Sequence, residues 1–248
     1  MSDLFKYTLR IADSSLILAQ RMSEWCSKGP TLEEDIALSN IALDLFGQAN
    51  GFYEYAAHLD GSRSIDDLAF KRNEREFFNH QLSEQENGHF GTTTVRNFLH
   101  DTFNFLFYTA LSNSKDETLA ALATKSLKEV KYHLRHSSNW IIRLGDGTQE
   151  SNTKTQSALE LLWQYTGELF EMDEIDTKLL NTKIAVDNKA LKPEWDKIVN
   201  TTLKEAKLKR PEDGYMATGG KKGIHTEPLG FLLAEMQYLP RAYPNAKW

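Results

Sequence analysis

Hydrophobic positions recur along most of the chain at the three- and four-residue intervals of helices that bury one face. Nowhere do they alternate as half-buried strands require. The clearest stretch is 117–144, where Leu119, Leu122, Leu127, Val130, Leu134, Ile141 and Leu144 form one apolar stripe, with Lys128, Lys131 and Arg135 opposite. At about 100° per residue, His133 projects inside that apolar arc and Glu129 sits on its edge. An inward acid and imidazole one turn apart must either bind a metal or neutralise each other and nearby polar groups inside a helical bundle.

The other elements follow the same period. Residues 4–25 carry Leu9, Ala12, Leu16, Ala19 and Met22 at helical spacing and stop at Gly29-Pro30. Thr31 then caps a helix reaching about His58, with Glu33, Glu34 and Asp35 at its positive end. Its centre, Ile41 to Phe46, is apolar nearly all round except for Asp44, which shares a column with Gln48, Gly51 and Tyr55. Residues 60–90 are polar and read as a long connection with short helical pieces anchored by Phe70, Phe77, Phe78 and Leu82. A third long helix from Thr92 to about Ala110 is rich in rings. Phe98, Phe103, Phe105, Phe107 and Tyr108 cover more than one face, so one side is expected to lie against another subunit. A fifth helix after Thr153 carries Leu159, Leu162 and Trp163 on to Glu168, Leu169 and Phe170, residues 181–191 look irregular, and Lys192-Pro193-Glu194 opens another helix. After a Gly- and Lys-rich loop, Thr226 caps a last helix over 227–239. The expected fold is all-α, an up-and-down helical bundle forming a single domain, 1–248, with residues 192–248 as a helical C-terminal extension.

Composition narrows the function. The chain has 248 residues, 40% of them hydrophobic, which is enough for a sizeable core. A net charge of −6 argues against general nucleic-acid binding. The lone Cys26 gives no disulfide framework and suits a reducing cytoplasm. The first residues lack a secretory pattern and no apolar run nears a membrane span, so neither secretion nor membrane insertion is expected. Four helices with inward carboxylates suggest a di-iron bundle, which takes one Glu from each of two helices and Glu-x-x-His from each of the other two. The candidates are Asp44, Asp101, Glu129 and Glu168, but the histidines are missing: Asn104 follows Asp101 by three, Glu171 follows Glu168, and His133 comes four after Glu129. The spacing describes a degenerate metal site. Its charge must then be balanced by protonated His133, by protonation of an acid, or by an inward Lys or Arg, with Lys71 and Arg72 the nearest candidates. Gly219-Gly220-Lys221-Lys222-Gly223 is too short for a P-loop. It reads either as a solvated turn or as an anion clamp, with Lys221, Lys222 and His225 offered to phosphate and the basic end of the preceding helix, Lys204, Lys207, Lys209 and Arg210, nearby.

The stretches YTLRIADSSLILAQRMSEWC, IALDLFGQAN, KEVKYHLRHS and TGGKKGIHTEPLGFLLAEMQYLPR resemble the C subunits of multicomponent phenylacetyl-CoA 1,2-epoxidases, ring-oxidising monooxygenases of aerobic phenylacetate catabolism. The resemblance spans nearly the whole chain. It implies a ferritin-like fold and a structural, non-catalytic subunit that pairs with a homologous catalytic A subunit holding the di-iron centre. It implies no cofactor in this chain, electrons from an NADPH-dependent flavin and iron–sulfur reductase, and phenylacetyl-CoA met through the complex. Taken with the local charge of the tail loop, that substrate offers Lys221, Lys222 and His225 to the CoA phosphates. Two other classes remain open at this point: a free-standing di-iron oxidase or oxygenase, and an acyl-CoA-binding module.

Overall fold

A computed structural model describes residues 2–244 and 246, so Trp248, which closes the expected extension, lies outside the described residues. The helices are α1 (Asp3–Ser23), α2 (Leu32–Asp60), α3 (Ile65–Phe70), α4 (Gln81–Glu84), α5 (Phe90–Leu111), α6 (Glu117–Gly145), α7 (Gln149–Trp163), α8 (Glu174–Asn181), α9 (Asn188–Glu205) and α10 (Glu227–Ala242). No strand occurs among the described residues. Contacts divide the chain into two compact units, Met1–Gln85 with Gly219–Trp248, and Glu86–Thr218. The expected extension is shared between them, α9 in the second unit and α10 in the first.

In the first unit α1 and α2 form an antiparallel hairpin. Ser2 starts α1 by accepting from the Phe5 amide, and Thr31 starts α2 by accepting from Glu34. The turn between them needs Gly29, because a Cβ there would stand 2.6 Å from the Asp35 Cα while its N–H donates to the Asp35 carboxylate. Helix α1 is buried nearly all round, including Arg10, Asp13, Ser14 and Ser15. Leu43, within the run expected to be apolar and enclosed, is instead 66% exposed, on the same side of α2 as exposed Leu32 and Ile36.

In the second unit α5 is the enclosed helix, packed by α6, α7 and α9. Its rings Phe98, Phe103, Phe107 and Tyr108 are buried by the chain itself and Phe105 is half-buried. The expectation that this aromatic side is left for another subunit is therefore corrected: Phe103 stacks on Phe107 and meets Phe170 edge-on, and Trp195 lies against Phe170 and donates to the Leu99 carbonyl. The fifth helix also differs. It starts at Gln149, capped by Thr148, and stops at Trp163, where the amides of Tyr165 and Thr166 turn back to the carbonyls of Leu162 and Trp163. A separate 3₁₀ turn, Gly167–Phe170, then carries Glu168. Gly167 permits this, since a Cβ would stand 2.8 Å from the Met216 side chain. Helix α8 was not expected and is fixed by a reciprocal cap between Asp173 and Asp176. Helix α9 begins at Asn188, where Asp187 accepts from the Ala190 amide, and so takes in part of the stretch that looks irregular and places Pro193 inside the helix.

Candidate functional site

Each unit encloses a polar cluster. In the first, Asp13 projects from α1 into a fully buried position and receives a fork from Arg72, itself only 4% exposed, with Nη1 at 3.0 Å and Nη2 closer still. The Tyr53 hydroxyl of α2 donates to the same carboxylate at 2.6 Å, and the Phe78 amide donates at 2.8 Å. Arg72 lies over the Phe77 ring and gives further bonds to the carbonyls of Leu68 and Glu76. Burial and the Asp13 charge hold the Tyr53 hydroxyl protonated well above its ordinary range. For Arg72, burial opposes the charge, but Asp13 and Tyr53 outweigh it and keep the guanidinium protonated. Of the two cations offered from the long connection, Arg72 reaches inward, to Asp13, while Lys71 stays at the surface with Asp67.

The tail loop closes on this cluster. Glu84, fully buried at the end of α4, accepts from Asn79 at 2.8 Å, from the Thr226 amide at 2.6 Å and from the Thr226 hydroxyl at 2.7 Å. The His225 side chain is also fully enclosed, its Nδ1 2.8 Å from the Glu84 carboxylate and its Nε2 2.8 Å from the Phe77 carbonyl. A carboxylate and a carbonyl both accept, so the ring meets them best with both nitrogens protonated. Burial works against that charge, but the hydrogen bond and charge of Glu84 and the Phe77 carbonyl overcome it, leaving the His225 pKa raised. Arg21 ties the same parts together, donating to the carbonyls of Glu84 and Pro228, and Gln81 donates to Ile224. The geometry thus commits His225 to Glu84 and Phe77, whereas Lys221 is half-exposed and Lys222 exposed on the 3₁₀ turn Gly220–Lys222. Gly223 locks the turn: its φ is +72° and a Cβ would stand 2.2 Å from the Arg75 carbonyl oxygen. Among the cations before this loop, Lys207 pairs with Asp146, and Arg210 with Asp196 and Asp213.

The second unit holds the cluster of α5 and α6. Asp101 on α5 accepts from Ser137 of α6 at 2.8 Å, with His133 one turn before that serine and buried. Burial pushes the Asp101 carboxyl up to about 6, against the opposing pull of His133, the Ser137 hydrogen bond, His136 and Arg96. Arg96, fully buried on α5, places a permanent positive charge inside the same region. Burial, then the Arg96 charge, hold His100 down at about 3, so its ring is neutral and contacts the Asn104 amide at 3.0 Å. Asn104 thus stands at the ligand-histidine spacing but serves His100. Glu129 is half-buried on α6, Glu168 is buried in its 3₁₀ turn rather than on a long helix, and in the first unit Asp44 is half-buried on α2. The residues do not fit a di-iron centre: among the described residues no three His, Cys, Asp or Glu side chains come together to hold an ion.

Asp13, Tyr53, Glu84 and Arg96 escape sequence reasoning. The only hint is a charge set in an apolar or tightly patterned run, as Asp13 is between Ile11-Ala12 and Leu16-Ile17-Leu18.

Two interior polar clusters, one built on Asp13, Arg72, Glu84 and His225 and the other on Asp101, Ser137 and Arg96, thus mark the two units of an all-helical chain. The chain belongs to the phenylacetic acid catabolic protein family, whose model matches residues 1–248. Its architecture agrees with the ferritin-like helical bundle expected for that family. One relative is the C subunit of the 1,2-phenylacetyl-CoA epoxidase of Escherichia coli strain K12, 48% identical over 248 residues, which cover all of both chains. Among the described residues no helix is long and apolar enough to cross a membrane.

Proposed function

We propose that this chain is the structural, non-catalytic C subunit of a phenylacetyl-CoA 1,2-epoxidase, pairing with a homologous catalytic subunit that carries the di-iron centre. The observation that carries this reading is the 48% identity to the C subunit of such an epoxidase over the entire length of both chains. The interior supports it, because Arg72 and Arg96 supply positive charge from the chain itself. The complex works in the cytoplasm with an NADPH-dependent reductase. Co-expression with the catalytic subunit tests the reading: the two should purify as one complex, and the isolated chain should carry no stoichiometric iron and no oxygenase activity. Stoichiometric iron in the isolated chain, lost with activity in Glu129→Ala, would make it a free-standing di-iron oxygenase. Tight binding of the CoA ester by the chain alone would make it an acyl-CoA module.

The exposed Lys222 and its neighbour Lys221 contribute to the CoA phosphates, without His225. The double substitution Lys221→Ala/Lys222→Ala should raise the apparent KM of the complex for the CoA ester by about three- to tenfold, with kcat and iron loading little changed. Unchanged kinetics would leave the loop a structural turn.

A further inference from the structure

The outer face of α6 concentrates cations that the rest of the protein does not match. Lys125, Lys128, Lys131, Arg135 and Arg143 are all exposed and fall within an arc of about 120°, opposite the buried side that holds Leu119, Val130, His133, Ser137 and Ile141. The row is about 27 Å long at 1.5 Å per residue. None of the five forms an ion pair among the described residues. Elsewhere several exposed cations are met by acids, Lys71 by Asp67, Lys154 by Glu150, Lys192 by Asp196, Lys197 by Glu194 and Lys207 by Asp146, while others such as Lys28, Lys189 and Lys204 are not, among the described residues, but form no comparable row. The chain as a whole carries −6, so this face stands against the prevailing sign. Two of its guanidinium groups are already oriented, Arg135 over Tyr132 at 5.5 Å and Arg143 over Trp140 at 5.5 Å. Packing on a ring removes much of the side-chain freedom that binding would otherwise have to remove, and leaves the planar fork free to take a carboxylate. Tyr132 also lies beside His136, and Trp140 meets Phe90 edge-on. A nucleic acid would be repelled by the remainder of the net-acidic chain.

We propose that this face of α6 docks a carboxylate-rich protein surface on another component of the epoxidase. The proposal rests on the chain being a subunit of that complex. Such a contact is salt-sensitive and forms fast, because long-range attraction steers the encounter.

The test uses the full chain with three substitutions, Lys125→Glu/Lys128→Glu/Arg135→Glu, beside a control with the same total charge, Lys28→Glu/Lys189→Glu/Lys204→Glu, placed on exposed lysines off the face. Each is titrated against the purified catalytic subunit, the other epoxidase subunits and the reductase in turn, at about 50 and about 300 mM salt. For one component, the α6 variant should bind at least about tenfold more weakly at low salt, with a flatter salt dependence, while the control stays within about twofold of wild type. Wild-type affinity of the α6 variant for every component overturns the proposal. So does loss of heparin binding alone with all subunit affinities unchanged, which would mark a general polyanion site. If the wild-type chain binds none of the components, the subunit reading falls and takes the proposal with it.

Discussion

At the scale of single residues, the two clusters respond to pH in defined directions. Asp101 keeps its proton to about pH 6 in the folded protein, whereas an unfolded aspartate releases it near 4. Between those values the folded state binds more protons, so this group's contribution is present at low pH and is lost as pH rises through about 6. Asp101→Asn, which still accepts from Ser137, should therefore raise the unfolding free energy by about 2 to 3 kcal/mol at pH 7.5, with no gain at pH 4. Denaturant titrations at the two pH values check this, and a loss at both would mean that the carboxylate charge itself is needed. His225 has the same sign with opposite charge. Its raised pKa makes the bond to Glu84 fully effective below the ordinary histidine value of about 6.5 and weaker as pH rises through the folded value. His225→Gln leaves Glu84 buried without its cation and should cost about 3 kcal/mol or more at pH 6. The opening free energy of α10, from amide exchange corrected for the intrinsic base-catalysed rate, should then lose its dependence on pH; a variant as protected and as pH-dependent as wild type would remove the ring from the clasp.

At the scale of elements, close backbone approach is as decisive as periodicity. Helices α6 and α9 meet at Gly145, where a Cβ would stand 2.2 Å from the Ala206 carbonyl oxygen and 2.8 Å from the Ala206 Cβ. Gly145→Ala should cost about 1 to 3 kcal/mol, read as a shift in denaturation midpoint without change of slope. The long helices were legible because their stripes repeat every 3.6 residues, and α6 was the easiest since its polar side faces water. Helices α1 and α5 were harder to rank. Their polar residues, such as Asp13, Arg10 and Ser15 on α1 and Arg96, His100 and Asp101 on α5, are buried and paired, and a pattern of apolar spacing scores them as solvent-facing. The helix with the cleanest stripe, α6, therefore stands out in the sequence more than the two enclosed helices do. The break at Trp163 was illegible for a different reason: it depends on Met216 and Ala217, more than fifty residues downstream, packing beside Gly167 and Gln164. Likewise no local signal links Glu84 to His225, although the tail itself stood out as a distinct stretch.

At the scale of the whole molecule, the first unit is assembled from both ends of the chain and the second from one continuous middle stretch. Removing residues 219–248 should therefore open α1 and α2 to amide exchange while α5, α6 and α7 keep their protection; equal loss in both units would show that they unfold as one. The same topology sets an order of events during synthesis. Residues 86–218 are complete before the tail is made, but Glu84 and His225 are separated by 141 positions, so the acid waits on the order of ten seconds for its cation at translation speeds of about 5–20 residues per second. Through that interval Asp13 already has Tyr53, Arg72 and Phe78, but Glu84 on α4 lacks His225 and Thr226, so the α4 end of the first unit is where the nascent chain has most need of a chaperone.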